Sequence, residues 1–237
     1  MPAGLGRRDV HVWRVALSPT EDTRTLTDDE QERAERLISP AARTEFIGRR
    51  SALRRILGSY SGVAPADLRF DHGPNGKPSL EDQRLGFNSS HAGAWFVCAV
   101  TTGMVTGIDI ESRAAMTRAD QIAERIMSDR ERASIDHLDA ADRHSAILRA
   151  WTRKEAVAKG IGEGMALPFT SINTTGPTTA GVVLIRVADR PRERWFVRDL
   201  AVADGHVASL AAPRRRIRIT YMDWSIDGED LPAVTLR

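Results

Sequence analysis

The stretch 107-GIDIES-112 alternates apolar and acidic side chains, at the period of a β-strand. Ile108 and Ile110 therefore share one face, and Asp109 and Glu111 share the other. Upstream, 101-TTG-103 separates it from two further strand-like runs, 84-RLGFNSS-90 and 94-AWFVCAV-100. Downstream the spacing turns helical over 119–136 and 139–160, then alternates again at 181-GVVLIRV-187, 194-RWFVRDL-200, 206-HVASLAA-212 and 216-RIRITYM-222. Nearer the start, 9-DVHVWRVAL-17 reads as β. Thr27 with Glu30 opens a helix over 27–38 in a capping-box pattern. A second helix is predicted over 41-AARTEFIGRRSALRRILGSY-60, with Phe46, Leu53 and Leu57 as its buried stripe, and 71-DHGPNGKPSL-80 reads as a loop. Strands and helices in both halves of the chain give an α+β fold. The seam near residue 103 divides it into 1–103 and 104–237.

With 237 residues, 41% of them hydrophobic and 28% charged, the chain can bury a substantial core. Its single cysteine, Cys98, rules out an internal disulfide and sits in the apolar run 95-WFVCAV-100, where a buried role outweighs a catalytic thiol. That cysteine usage and the lack of an N-terminal apolar segment point to the cytoplasm. No run approaches ~18 apolar residues, which argues against a membrane span. Net charge is only +2; the sequence pI of about 9.0 leans toward an anionic partner, such as a phosphate-bearing ligand or an acidic protein, although balanced charge usually serves solubility alone. Aromatic residues at 5% and 32 acidic side chains argue against nucleic acid.

Asp109 and Glu111 stand ~7 Å apart along one strand face. On a dry face they would repel, so they call for a cation such as Mg²⁺, which prefers carboxylate and phosphate oxygens, or for water along a half-exposed strand. The second signal is 150-AWTRKEAVAKGIGEG-164. This chain has only three lysines against 31 arginines, and two of them, Lys154 and Lys159, lie here either side of Glu155. On a helix Trp151, Glu155 and Lys159 form one stripe. Glu155 with Lys159 can be a surface ion pair. A lysine is also a small cation that meets a phosphate as a point charge and can shift its pKa, which guanidinium cannot. The third lysine, Lys77, lies in 73-GPNGKP-78, an ordinary turn or a glycine loop open to an anionic ligand. Ser90 and His91 end the strand in 87-FNSSHAG-93 and can donate to phosphate oxygens. Arg43, Arg50 and Arg54 share one side of the second helix, as a solvated face or a phosphate clamp. Together these groups fit a phosphorylated nucleotide held through Mg²⁺.

The order GKP (Gly76–Pro78), FNSSH (Phe87–His91), GIDIE (Gly107–Glu111) and WTRKEAVAK (Trp151–Lys159) resembles the 4′-phosphopantetheinyl transferase superfamily, of the surfactin-synthetase-activating type. The likeness runs from about residue 40 to 172. It implies two similar α/β subdomains related by a pseudo-twofold axis, with coenzyme A in the cleft between them, and a monomer. It implies transfer of the 4′-phosphopantetheine arm of coenzyme A to a serine of an apo acyl or peptidyl carrier protein, leaving adenosine 3′,5′-bisphosphate. The resemblance suggests service to non-ribosomal peptide and polyketide synthases, with fatty-acid and siderophore carriers as the other candidates. By resemblance Asp109, Glu111 and Glu155 gather Mg²⁺, and Glu155 takes the serine proton. Lys159 stabilises the departing phosphate. Lys77, Ser90 and His91 hold the nucleotide and its phosphates, Arg50 contacts the 3′-phosphate, and Arg54 is a possible helper. Trp151 and Lys154 belong to the motif for packing and positioning.

Two positions depart from the family pattern. Ala92 follows His91 where many members have serine, and 39-SPAARTEF-46 offers Arg43 and Glu45 where members often place lysines. Carrier proteins are generally acidic, and 112-SRAAMTRADQIAERIM-127, with Arg113, Met116, Arg118 and Arg125, resembles the carrier-docking region. The same segment reads equally as an amphipathic helix packed on its own domain. The alternative function is a non-catalytic coenzyme A or nucleotide-binding module; a positioned Glu155/Lys159 pair argues against it, because binding alone needs no base.

Overall fold

The computed structural model describes residues 5–81, 84–115, 119–175, 178–179, 181–187 and 190–225. Met116 and Arg118 of the expected docking segment lie outside the described residues. In chain order the elements are β1 (Asp9–Ala16), α1 (Asp28–Glu35), α2 (Pro40–Ser61), β2 (Phe70–His72), β3 (Pro78–Leu80), β4 (Leu85–Ala92), β5 (Trp95–Thr102), β6 (Gly107–Ser112), α3 (Ala119–Ile126), α4 (Asp129–Ala133), α5 (Ala140–Ile161), β7 (Thr178–Thr179), β8 (Val182–Val187), β9 (Arg190–Leu200), β10 (His206–Ala212) and β11 (Arg218–Ser225).

Two sheets, ordered β11-β1-β5-β4 and β6-β10-β9-β8-β7, each carry one 22-residue helix. Strand periodicity decides what each face buries. In the first sheet Trp13, Val15, Phe87, Phe96 and Cys98 pack under Leu53, Ile56, Leu57 and Tyr60 of α2. In the second, Ile185, Trp195 and Val197 pack under Ile147, Leu148 and Val157 of α5. The alternate positions, Val10, Val12, Val97 and Ala99 on one side and Ile108, Ile110, Ala208 and Leu210 on the other, meet in a shared core. The result is helix, sheet, sheet, helix: an α+β architecture of two halves built alike. The edge strands β4 and β6 lie together, and the Ile108 N–H donates to Asn88 Oδ1 at 2.8 Å in place of a ladder bond.

Local signals explain the helix ends. Ser39 caps α2 with Pro40 in its first turn, and Gly62 closes it in the left-handed region. Asp139 accepts the Asp142 N–H at 2.8 Å to open α5, and Gly162, at φ +90°, ends it.

Three expectations change. The loop over 71–80 is a short hairpin, β2 with β3, whose turn contains Gly76 at φ +79°. The helix predicted over 119–136 breaks in two, because Ser128 and Glu131 form a capping box that starts α4 afresh. The tail of the expected second half, 104–237, crosses back: β11 pairs parallel to β1 from Asp9↔Arg218 to Ala16↔Ser225. Without it β1 would be an open edge; Arg218–Asp9 at 2.7 Å and Arg14–Asp223 at 2.6 Å hold the added strand. Cys98 is fully buried. Among the described residues no helix is long and apolar enough to cross a membrane.

The contact between α5 and β6 sets the spacing of the side chains that the two elements present to each other. A Cβ on Gly107 would stand 1.9 Å from the Ala156 carbonyl oxygen and 2.4 Å from Gly160 N. Only the bare backbone lets the helix lie this close. Gly107→Ala is expected to cost roughly 1–3 kcal/mol, the usual range for overpacking a core. That corresponds to a fall in Tm of roughly 3–10 °C for a chain of this size. An unchanged melting curve by circular dichroism would show that α5 is free to shift.

Candidate active site

β6 and α5 bring three carboxyls and a lysine to the seam between the halves. Asp109 points to the helix side of its sheet and is 2% exposed, so the half-exposed acidic strand considered from sequence is not what forms. An unpaired carboxylate buried this deeply costs several kcal/mol. Its partner is Lys159, whose Nζ donates to Asp109 Oδ1 at 2.6 Å and to Ser90 Oγ at 2.9 Å. Ser90 in turn donates to the same Oδ1 at 2.8 Å. Asp109 Oδ2 is buried with no partner. Burial pushes the Asp109 carboxyl above the usual range against the pull of Lys159 and Ser90.

Glu155 lies one helical turn before Lys159. Burial, then the charge of Asp109, pushes its carboxyl up to about 7, with Glu111 adding to the rise and Lys159 opposing it. Glu111 is raised by burial and by Asp109. Its Oε1 accepts the Trp151 indole N–H at 2.9 Å, and the Trp151 ring stands edge-on to Phe169. The three carboxyls therefore repel one another in a poorly solvated place. Among the described residues no three His, Cys, Asp or Glu side chains are already gathered at metal-ligand distance. Lys159 holds one Asp109 oxygen and Trp151 one Glu111 oxygen. The orphaned Asp109 Oδ2 and the mutual repulsion nevertheless fit a divalent cation: such an ion satisfies the free oxygen and offsets like charge.

The other two lysines have different surroundings. Lys77 Nζ donates to the carbonyls of Gly160 (2.9 Å) and Thr106 (3.3 Å), and Asn75 Nδ2 donates to the Gly162 carbonyl at 3.1 Å. The hairpin turn of the first half is thus fastened to the C-terminal end of α5, where a cation also meets the helix dipole. Burial brings the Lys77 ammonium down to about 8. Lys154 is fully buried beside Glu131, 2.7 Å away, and its other two protons go to the carbonyls of Ile126 (2.7 Å) and Phe169 (2.9 Å). Glu131 also accepts from Ser128 and from the backbone and hydroxyl of Thr174. Burial alone would raise the Glu131 carboxyl; Lys154 and Thr174 together take it below the usual range. This supplies what the sequence lacked: Lys154 is lysine because a compact ammonium with three tetrahedral donors fits a closed cage that a planar guanidinium would not.

Two cavities flank Ser89. One, of about 220 Å³, is lined by Asn75, Lys77, Asn88, Lys159 and Gly162. The other, of about 300 Å³, is lined by Arg33, Arg49, Arg50, His72, Ser90 and His91. The arginine clamp read from α2 resolves into separate roles. Arg43 donates to the carbonyls of Glu35 and Leu37 at the end of α1. Arg54, 2% exposed, pairs with Glu30 at 2.6 Å and donates to the carbonyls of Pro65 and Leu68, so the possible helper is a structural group. Arg50 also pairs with Glu30 yet reaches the cavity wall. Glu30 was visible in the sequence only as a capping residue; burial tends to raise its carboxyl, and the two arginines bring it below the usual range. The residue missed is Arg49, whose guanidinium lies 2.8 Å from His91 Nε2. Its only sequence signal is adjacency to Arg50. Arg113, Arg125 and the outer face of α3 are exposed, while Ala123 and Ile126 of that helix pack inward.

The model of the 4′-phosphopantetheinyl transferase superfamily matches residues 106–211, from the start of β6, the strand that carries Asp109, into β10. The chain is 36% identical over 213 residues to the 4′-phosphopantetheinyl transferase HetI of Nostoc sp., covering 86% of this chain and 87% of that protein. It is 30% identical over 163 residues to the 4′-phosphopantetheinyl transferase Sfp of Bacillus subtilis, covering 63% of this chain and 71% of Sfp. Among solved structures, a holo-(acyl-carrier-protein) synthase from Bacillus anthracis in complex with CoA (3′,5′-ADP) aligns over 46% of this chain and 95% of its own, with 17% identity and a TM-score of 0.36.

The Lys154 cage is testable apart from any activity. Lys154→Met leaves Glu131 charged and buried, and is expected to cost about 3–5 kcal/mol in a denaturant melt. Lys154→Met with Glu131→Gln removes both charges while keeping an acceptor for Ser128 and Thr174, and should recover a large part of that loss. A double variant as unstable as the single one would show that the pair is not held by charge compensation.

Proposed function

Because the chain belongs to the 4′-phosphopantetheinyl transferase superfamily, we propose that it moves the 4′-phosphopantetheine arm of coenzyme A onto a serine hydroxyl of an apo carrier protein, releasing adenosine 3′,5′-bisphosphate. The observation that carries the reading is the buried Asp109–Lys159–Ser90 contact beside Glu155 and Glu111, at the junction of the two halves. A lysine, a carboxyl of raised proton affinity and an unpaired carboxylate oxygen in one site are what a cation for phosphate, a base and a metal ligand would require, and this supports the reading.

Asp109, Glu111 and Glu155 are the residues that would hold Mg²⁺. When bound, the ion neutralises pyrophosphate charge and makes the β-phosphorus more open to attack. The chain's own groups do the rest. Glu155, near neutrality in its affinity for a proton, takes the hydroxyl proton of the incoming serine. Lys159 exchanges its bond to Asp109 for the pyrophosphate and stabilises the charge that develops on the leaving oxygen. His91, Arg50 and Arg49 offer donors to the phosphates in the cavity they line, and Ser90 lines the same cavity while its one hydroxyl proton goes to Asp109. Lys77 supports the site by fastening the hairpin turn to α5, and its cavity offers room for the adenosine. The exposed arginines Arg113 and Arg125 suit an acidic carrier approaching beside α3.

Purified protein with coenzyme A, Mg²⁺ and a panel of apo carrier domains from fatty-acid, polyketide and peptide synthesis is expected to give at least one carrier heavier by one phosphopantetheine in intact-mass spectra. Coenzyme A binding without transfer to any of them would favour a binding module instead. Asp109→Ala and Glu155→Gln are each expected to lower turnover by roughly 10²-fold or more, the scale of losing a positioned acid–base or charge-stabilising group. A Glu155→Gln variant at full rate would remove the base from the scheme.

The raised carboxyls also fix the sign of a pH effect. Below about 7 Glu155 carries a proton that a bound cation must expel, and above it none. Calorimetry in buffers of different ionisation enthalpy should therefore find more protons released per Mg²⁺ at pH 6.5 than at pH 8.5, with affinity falling as pH falls. Equal release at both values would contradict the carboxyl assignment.

A further inference from the structure

The cavity lined by Arg33, Arg49, Arg50, His72 and His91 is rich in basic side chains, and two acids of this chain, Glu30 and Glu45, pair with residues of its lining. Glu30 reaches Arg50 and Arg54 from the α1 side and is itself buried. Glu45 is different. It lies on α2 one turn before Arg49, with 44% of its side chain exposed. Its Oε1 stands 3.1 Å from His91 Nε2 and 3.8 Å from Arg49 Nε. Arg49 Nη1 in turn lies 2.8 and 3.2 Å from the two His91 ring nitrogens. Glu45, Arg49 and His91 thus form a closed triangle, and the carboxylate already takes contacts with His91 and Arg49 that an arriving anion could use.

We infer that Glu45 is a built-in counter-anion of this cavity: it holds Arg49 and His91 in place while the cavity is empty and competes with the phosphomonoester that these groups receive. The inference rests on the coenzyme A reading, with the 3′-phosphate as that phosphomonoester. Its physical content is a sign. A half-exposed ion pair contributes little to stability, so removing it costs little. A carboxylate a few ångströms from an arriving dianion repels it. Glu45 therefore weakens binding of the doubly charged group, and its removal strengthens it. A residue that merely braced His91 and Arg49 would act in the opposite direction.

The test is calorimetric titration of wild type, Glu45→Gln and Glu45→Ala with coenzyme A and, separately, with dephospho-coenzyme A, which lacks the 3′-phosphate. Both variants are expected to bind coenzyme A roughly three- to tenfold more tightly, the scale of one nearby charge in partly solvated surroundings. Dephospho-coenzyme A should change less than twofold. Equal or weaker binding of coenzyme A by both variants would overturn the inference, as would the same gain for both probes. If the wild type binds neither probe, the coenzyme A reading fails by itself. Inorganic phosphate then decides the counter-anion: tighter phosphate binding by both variants supports it, and unchanged binding ends it.

Discussion

The close approach of α5 to β6 at Gly107 is the constraint from which the site follows. With the helix backbone against the strand, the side chains one turn apart on α5, Glu155 and Lys159, lie over the acidic face of β6. The same approach shuts water away from Asp109, which makes Lys159 an obligatory partner and raises the carboxyls beside it. Geometry and electrostatics have one cause here. A helix held a few ångströms higher would leave three solvated acids and an ordinary surface ion pair.

The second half of the design is that the two sheets meet at their edges as well as through a shared core. Asn88 supplies the hydrogen bond that an adjoining strand would have given to Ile108, so β4 and β6 remain neighbours without forming one sheet. That junction carries Ser90 from one half to Asp109 and Lys159 from the other. Lys77 and Asn75 fasten the same seam at the end of α5. Each half contributes groups that the other could not place alone, and the tail strand β11, returning to β1, closes the chain around both.

Much of this was legible in the sequence because it is periodic. The strand at Asp109, the α5 stripe of Trp151, Glu155 and Lys159, and the α2 core positions all follow from side-chain spacing. What stayed hidden depends on contacts between distant segments. Lys154 owes its identity to Glu131, Ile126 and Phe169, which the fold brings around it from other segments of the chain. Arg43, Arg50 and Arg54 share one face by spacing, yet Glu30, drawn in from the preceding helix, pairs with both Arg50 and Arg54, and only Arg50 of the three lines the cavity, beside Arg49. Ser128 with Glu131 was a readable capping box inside a segment whose apolar spacing suggested an unbroken helix. The return of β11 to the first sheet has no local signature, since alternation marks a strand but not its neighbour.

In the proposed scheme Lys159 stays on Asp109 only until a pyrophosphate replaces it, and Asp109, Glu111 and Glu155 then share a divalent ion. The most direct test is a crystal structure with coenzyme A and Mn²⁺ in place of Mg²⁺, read by anomalous scattering. The account predicts an anomalous peak bounded by Asp109, Glu111 and Glu155, with Lys159 Nζ moved from Asp109 to a phosphate oxygen. A nucleotide bound elsewhere, or Lys159 still on Asp109 with no metal beside it, would contradict it.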